Sequence, residues 1–310
     1  MRNSPHIPVL YREVSECFSG MQSGVMIDCT LGYGGHSALI LEANPGISLV
    51  GIDQDQSAIE FSTERLAPFG ERVRIVKGRF ASVISDVVAD VGAENVCGIL
   101  ADIGVSSLQL DLKERGFSYE SDHLDMRMNP DAPLSAADVV NDYSQDALER
   151  VLRDYAELRN YRKMASVIVQ RRPFYSAKEL AEAIKPYAPR GKKIHPATLV
   201  MQAIRIEVNN ELGELRDLLR AIEALRLSRA KVAIISFHSL EDRIVKQQFA
   251  RWSKSCICPS DAMRCVCGNH HAVGTIRTKK PITAQEEELR ENPRSRSAKM
   301  RIFIMDNERE

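Results

Sequence analysis

The segment Asp28-Cys29-Thr30-Leu31-Gly32-Tyr33-Gly34-Gly35-His36-Ser37 constrains the fold of this chain more than any other. A short apolar run (Val25, Met26, Ile27) precedes it. A second apolar run, whose first carboxylate is Asp53, follows roughly twenty residues on. Strand, glycine turn, helix and acid-ended strand is the plan of a nucleotide-binding βαβ unit. Glycine has no Cβ, so the backbone of the turn admits close approach. The helix that starts near Ser37 offers free N–H groups to an anion, and Asp53 can accept hydrogen bonds from both hydroxyls of a ribose.

The glycines are not followed by Gly-Lys-Ser/Thr, which disfavours a phosphate-gripping P-loop. They also fall short of the full Gly-x-Gly-x-x-Gly of dinucleotide binders. Asp28, at the end of the first strand, suits a ligand that carries an amine. S-adenosylmethionine (SAM) has an amine, a carboxylate and a ribose, and needs no pyrophosphate seat. This window therefore ranks SAM ahead of NAD.

The surrounding pattern extends the unit. Short apolar runs with β-branched content predict strands over Val25–Cys29, Ser48–Asp53, Val73–Lys77 and Val96–Asp102, with helices around Ser37–Ala43, Ser57–Leu66 and Phe80–Val91 between them. This alternation implies a parallel sheet covered by helices, with Gly34, Asp53 and Asp102 at the carboxyl ends of strands. From Asp111 to Asn210 no strand pattern occurs. Helices are predicted over Ser135–Asn141, Gln145–Asp154, Tyr161–Arg171 and Ala177–Tyr187. A long helix from Ala197 to Leu225 follows the breakers Pro186, Pro189, Gly191 and Pro196. Strands return at Lys231–Phe237 and Met300–Met305. The economical reading is an α/β domain, residues 1–110 and 211–310, interrupted by a helical domain, residues 111–210.

A chain of 310 residues, 44% hydrophobic, is ample for such cores. Basic and acidic residues balance at 42 each, so global charge names no partner. Local charge is uneven: Arg159 to Lys193 holds ten basic residues and two acids. A second basic cluster comprises Arg294, Arg296, Lys299 and Arg301, with Arg277, Lys279 and Lys280 upstream. Taken singly these are solvated surface charges; clustered beside a nucleotide-type site they point to a polyanion such as RNA. No stretch approaches the roughly 20 apolar residues of a membrane helix, and the N-terminus lacks the pattern of a secretory signal. Seven cysteines, an odd number, suit reduced thiols in a cytoplasm.

Further blocks stand in order along the chain: His6-x-Pro8-Val9-Leu10-x-x-Glu13, the turn itself, Ala101–Asp111 (ADIGVSSLQLD), Arg115–Ser118, Leu124–Met128 (LDMRM), His195–Leu212, Ile235–Lys246 (ISFHSLEDRIVK) and Asn292–Arg301. Together they resemble the bacterial RsmH (MraW) family, the small-subunit rRNA cytosine-N4 methyltransferases, over almost the whole chain. The resemblance implies a Rossmann-like class I SAM-dependent methyltransferase with a parallel-rich central sheet and an inserted all-helical, RNA-recognising domain. It implies N4-methylation of a cytidine in the decoding region (P site) of 16S rRNA in the small ribosomal subunit, with no DNA substrate. By matched motif, SAM contacts fall on Gly34, Gly35, His36, Asp53, Phe80, Asp102 and Gln109. The chain departs from the family pattern at Leu108, at Asp122-His123, at Leu199-Val200-Met201 and around Tyr155–Arg159, none of them a SAM contact.

Asp102 occupies the slot where amino methyltransferases hold the target base, and is the candidate catalytic acceptor for the cytosine amine as well as a SAM ligand. His238, after the fifth strand, is a candidate contact to the flipped base or its phosphate, with Ser239 and Asp242 as a helix cap. Arg205 and Asn209 share a helix face, as packing partners or as an RNA-facing pair. Arg294, Arg296 and Lys299 suit phosphate contacts. Cys256, Cys258, Cys265 and Cys267 form C-x-C, six residues, C-x-C: free loop thiols, or ligands of a Zn²⁺, which the resemblance does not supply. Cys17, Cys29 and Cys97 read as buried small residues. A non-catalytic RNA-binding assembly factor on the same fold is the rival reading, opposed by the intact turn, Asp53 and Asp102; a NAD-dependent oxidoreductase is opposed by the incomplete glycine pattern.

Overall fold

The computed structural model describes residues 7–187, 196–259, 261–262 and 264–306. His6, Pro189, Arg190, Gly191, Lys192, Lys193 and His195 lie outside them, as does the side chain of Leu108. The chain divides into two compact units, Met1–Gly104 with Glu214–Glu310, and Val105–Gly213.

The first unit opens with α1 (Tyr11–Phe18), β1 (Gly24–Asp28), α2 (Gly35–Ala43), β2 (Ile47–Asp53), α3 (Gln56–Leu66), β3 (Val73–Lys77), α4 (Phe80–Val91) and β4 (Val96–Asp102). The second unit follows with α5 (Ser107–Asp111), α6 (Ala136–Asp142), α7 (Gln145–Ala156), α8 (Tyr161–Arg171), α9 (Ala177–Ile184) and α10 (Pro196–Asn209). The chain then runs through α11 (Glu211–Ala224), β5 (Ser228–Ser236), α12 (Ser239–Trp252), β6 (Gly274–Ile276), α13 (Glu286–Glu291) and β7 (Lys299–Asp306).

The seven strands form one sheet in the order β3-β2-β1-β4-β5-β7-β6. The first five are parallel, and β7 runs antiparallel to both β5 and β6. Successive strand residues face opposite ways. Ile27, Val50, Ile99, Val232 and Phe303 enter one core with Ile84 of α4, Leu218 of α11 and Trp252 of α12. Met26, Leu49, Leu100, Ala233 and Ile302 enter another with Leu10, Phe18 near α1 and Ile40 of α2. Burial on both faces is why these strands read as unbroken apolar runs rather than alternating ones. The strand order reverses between β1 and β4, and in an open α/β sheet that switch point, at the carboxyl ends, is the ligand crevice.

The second unit is helical and has its own core, including Val139, Leu148, Val151, Met164, Ile168, Leu180 and Ile204. Side-chain caps set its helix starts: Ser135 with Asp138 at α6, Ser144 at α7 and Ser176 at α9. Asn209 clamps the LDMRM loop, donating to Met126 O (2.8 Å) and accepting from Met128 N (2.8 Å).

The single long helix expected over Ala197–Leu225 is two helices. Asn210 has a left-handed φ of 49°, which Asn tolerates better than most residues, and its side chain occupies the space a Cβ on Gly213 would need. The three-residue β6 carried no readable period, being too short for one. No described helix is long and apolar enough to cross a membrane.

Candidate active site

β1 ends at Asp28 and the chain turns back over the sheet through Gly32 and Gly34, whose φ values of 50° and 71° are left-handed. Leu31 N donates to Ile52 O (2.9 Å) and Gly34 N to Leu31 O (2.7 Å), which closes the turn. The adjacent Gly35 is required for a different reason. A Cβ there would fall 2.5 Å from Pro8 Cγ, so this glycine makes room for the N-terminal segment.

Asp28 does not face a ligand amine. It is 1% exposed. Thr30 N donates to Oδ1 (3.1 Å) and Ser37 Oγ to Oδ2 (2.6 Å), so the carboxylate ties the turn to the start of α2. Burial pushes its pKa up, against these hydrogen bonds.

Asp53 ends β2. Its Oδ2 accepts from Gly32 N (2.8 Å) and its Oδ1 from Asp55 N (2.9 Å), which locks the carboxylate beside the glycine turn. Each oxygen keeps a lone pair for a further donor. Burial raises its pKa to about 6 despite the amides of Asp55, Gly32 and Gln54. Gly78 N donates to Asp53 O (2.8 Å), which brings the end of β3 alongside. Phe80 begins α4 just beyond, half-buried and packed against the sheet core, so it is part core aromatic and part rim.

Asp102 ends β4. Its N–H donates to Thr30 Oγ1 (2.7 Å), so the first residues past β1 anchor it. Thr30 was not singled out in the sequence; its place directly after the first strand was the available signal. Asp102 Oδ2 lies 3.5 Å from His36 Nε2. Asp102 Oδ1 and both ring nitrogens of His36 are buried without a hydrogen-bond partner. Leaving such groups unpaired costs about 1–3 kcal/mol each, which marks a place for a ligand. A second residue not proposed for the site is Phe237, expected to end the fifth strand and lying just past β5. A Cβ on Gly104 would fall 2.9 Å from its ring, so Gly104 lets an aromatic lie against the backbone that leaves β4.

The other expected site residues lie as follows. Gln109 belongs to the helical unit; its Oε1 accepts from Ser106 N (3.1 Å). Arg205 makes a two-pronged ion pair with Glu211 at 2.7 and 2.9 Å, which fits the packing role. His238 is the N-cap of α12, with Glu241 as its reciprocal partner, replacing the expected Ser239–Asp242 cap. The ring Nδ1 accepts from Glu241 N (3.5 Å), Nε2 lies 3.0 Å from Glu241 Oε1, and Glu241 Oε2 accepts from Phe237 N (2.8 Å), so the ring is held at the start of α12. Asp242 instead accepts from the buried Arg301 (2.7 Å). Arg296 is exposed, Arg294 half-buried, and Lys299 lies 4.0 Å from Asp242. In the helical unit Arg159, Arg162, Lys163, Arg171, Lys178 and Lys185 are exposed, whereas Arg172 donates to Tyr143 O (2.7 Å). Of the isolated cysteines only Cys29 is buried; Cys17 and Cys97 are half-buried.

A strand-end acid locked beside a left-handed glycine turn, and a second acid with an unpaired oxygen across the switch point, belong with the Rossmann-like SAM-dependent methyltransferases. The chain belongs to the MraW methylase family, whose model matches residues 3–305. It is 62% identical over 305 residues to "Ribosomal RNA small subunit methyltransferase H" of Sulfurimonas denitrificans, covering 98% of this chain and 99% of the relative. Proteins of the same name from Nitratiruptor and Wolinella succinogenes are 56% and 54% identical, each over 97% of this chain and 98% of the relative.

SAM fits the residues present. Its amine and ribose hydroxyls are donors, and the unpaired Asp102 Oδ1 and the spare lone pairs of Asp53 are acceptors at the switch point.

Proposed function

We propose that this chain methylates small-subunit ribosomal RNA, at the exocyclic N4 of a cytidine in the decoding region of 16S rRNA. Family membership and the relatives' names support the rRNA substrate; the ordered motifs support the cytidine. The observation that carries the chemistry is the buried, unpaired Oδ1 of Asp102 at the end of β4.

The cytosine amine is a poor nucleophile because its lone pair is delocalised into the ring. Bound SAM supplies an electrophilic methyl group on a sulfonium centre. Asp102 Oδ1 accepts a hydrogen bond from N4–H, which favours a localised lone pair, and is the acceptor for the proton that N4 loses. His36, 3.5 Å from the other oxygen, orients that carboxylate. Asp53 takes the ribose hydroxyls, the Gly32–Gly34 backbone seats the methionine portion, and Phe80 borders the adenine. The base is extruded to reach the site, since a paired cytosine cannot present N4 in line. The exposed cations of the helical unit, with Arg294, Arg296 and Lys299, hold phosphates and so position the RNA without reading its sequence.

A second reading, that Asp102 only binds SAM, rests on the same unpaired oxygen. Incubation with methyl-labelled SAM and small subunits from cells lacking this enzyme, followed by nucleoside analysis, tests the function. Label in N4-methylcytidine is expected; label in another nucleoside, or none, refutes it.

A further inference from the structure

The segment between α12 and β6, residues 253–273, has no helix or strand among its described residues. A loop this long inside a compact unit needs something to hold it. Its base is pinned by Val273 N to Trp252 O (2.8 Å) and His271 N to Ser255 O (2.9 Å). Beyond that base no apolar side chain is buried among the described residues, and Ile257 and Val266 point outward at 63% and 79% exposure.

Sulfur converges instead. In non-helical chain, residues two apart share a face, so each C-x-C turns both thiols inward while Ile257 and Val266 turn out. The Sγ atoms of Cys256, Cys258, Cys265 and Cys267 all lie within 4.8 Å of one another. Three of the separations are 3.6 Å (Cys256–Cys265), 3.5 Å (Cys265–Cys267) and 3.7 Å (Cys256–Cys267).

These spacings discriminate between the possible states of the thiols. A disulfide joins sulfurs in pairs at about 2.05 Å and gives no reason for three to be equidistant. Four sulfurs at about 2.3 Å from a tetrahedral zinc ion are separated by about 3.8 Å, close to the three observed edges. Backbone donors complete the surround. Val266 N donates to Cys258 Sγ (3.4 Å). The amides of Ile257 and Asn269 serve Cys267, and that of Cys258 serves Cys256. Such N–H···S bonds orient and stabilise thiolate ligands around a metal.

We propose that Cys256, Cys258, Cys265 and Cys267 form a structural site for one Zn²⁺. Four protein ligands leave no open position, so the ion is not catalytic. Binding exchanges four thiol protons for the metal: one Zn²⁺ enters, four S–H protons leave to solvent, and the four sulfurs bind as thiolates with no change of oxidation state. The ion supplies this loop with the core that its side chains do not.

The test uses the full chain purified without chelator from zinc-replete cells. Elemental analysis should give about one zinc per chain. Titration with a mercurial should release it as four thiols react. Cobalt loading should show the intense visible bands of a tetrahedral thiolate site, and C258S and C265S should each lose most of the metal. Zinc far below one per chain, iron in its place, or an untreated protein mass short of four hydrogens through two disulfides would overturn the proposal. The metal and thiol measurements on the unaltered chain decide the matter even if the variants fail to fold, and neither depends on methyl transfer.

Discussion

Asp102 Oδ2 stands 3.5 Å from His36 Nε2, and the second oxygen of Asp102 is buried with no partner. The pair joins the end of β4 to the first turn of α2 across the switch point of the sheet. An unpaired buried acceptor costs about 1–3 kcal/mol, which a donor from outside the chain would relieve. The chemistry proposed for Asp102 rests on that missing donor.

If Asp53 takes the ribose, cofactor binding should depend on pH. Its folded pKa of about 6 lies above the ordinary carboxylate range. A raised folded pKa means that the native state holds its proton more tightly than the unfolded chain. This group therefore adds stability as pH falls from about 6 toward 4, and opposes folding above that window. Ribose hydroxyls donate to the ionised form, so SAM binding favours proton loss. Calorimetry should show SAM affinity falling below about pH 6 with proton release on binding. An affinity flat from pH 5 to pH 8 would mean that Asp53 does not take the ribose.

Gly35 serves the N-terminal segment, and substitution shows whether that is its whole role. Gly35→Ala places a methyl group 2.5 Å from Pro8 Cγ. Urea unfolding should show a loss of about 1–3 kcal/mol, and Pro8→Ala in the same chain should recover most of it. No recovery would assign the strain to another neighbour.

Arg205 separates packing from RNA binding. Its ion pair with Glu211 is largely buried, with side chains 18% and 4% exposed. Arg205→Met should cost about 3 kcal/mol by stranding the Glu211 carboxylate, and Arg205→Met with Glu211→Leu should cost much less. If Arg205→Met instead leaves stability unchanged and weakens subunit binding, the residue faces RNA after all.

The exposed cations of the helical unit make a different forecast. Arg162→Glu with Lys178→Glu should weaken small-subunit binding and flatten its salt dependence, by roughly 0.7–0.9 in log–log slope for each phosphate no longer neutralised. SAM affinity should not move. An unchanged salt slope would take this face out of the RNA interface.

β4 was legible because both its faces are buried, and the edge strand β3 and helix α4 also have the bounds that their apolar runs predict. The glycine turn, Asp53 and Asp102 were legible because each ends a strand on the ligand side. The rest depends on neighbours distant in sequence or on a single torsion. No local pattern marks the left-handed Asn210 that splits α10 from α11, or the packing of Pro8 on Gly35. Asp28 and Asp53 are both strand-end acids, yet Ser37 closes one of them inside the turn while the other stays beside the ligand crevice. Serine and acid at suitable spacing suggested a cap at Ser239, but His238 takes that role because Glu241 is buried beneath it at 0% exposure.

The most direct test of the central claim is single-turnover methyl transfer by Asp102→Asn at saturating SAM, with SAM affinity measured separately by calorimetry. If Asp102 accepts the cytosine amine, the transfer rate falls by on the order of 10²-fold or more, beyond any loss of SAM affinity. A transfer rate equal to the unaltered enzyme, with weaker SAM binding alone, would contradict it.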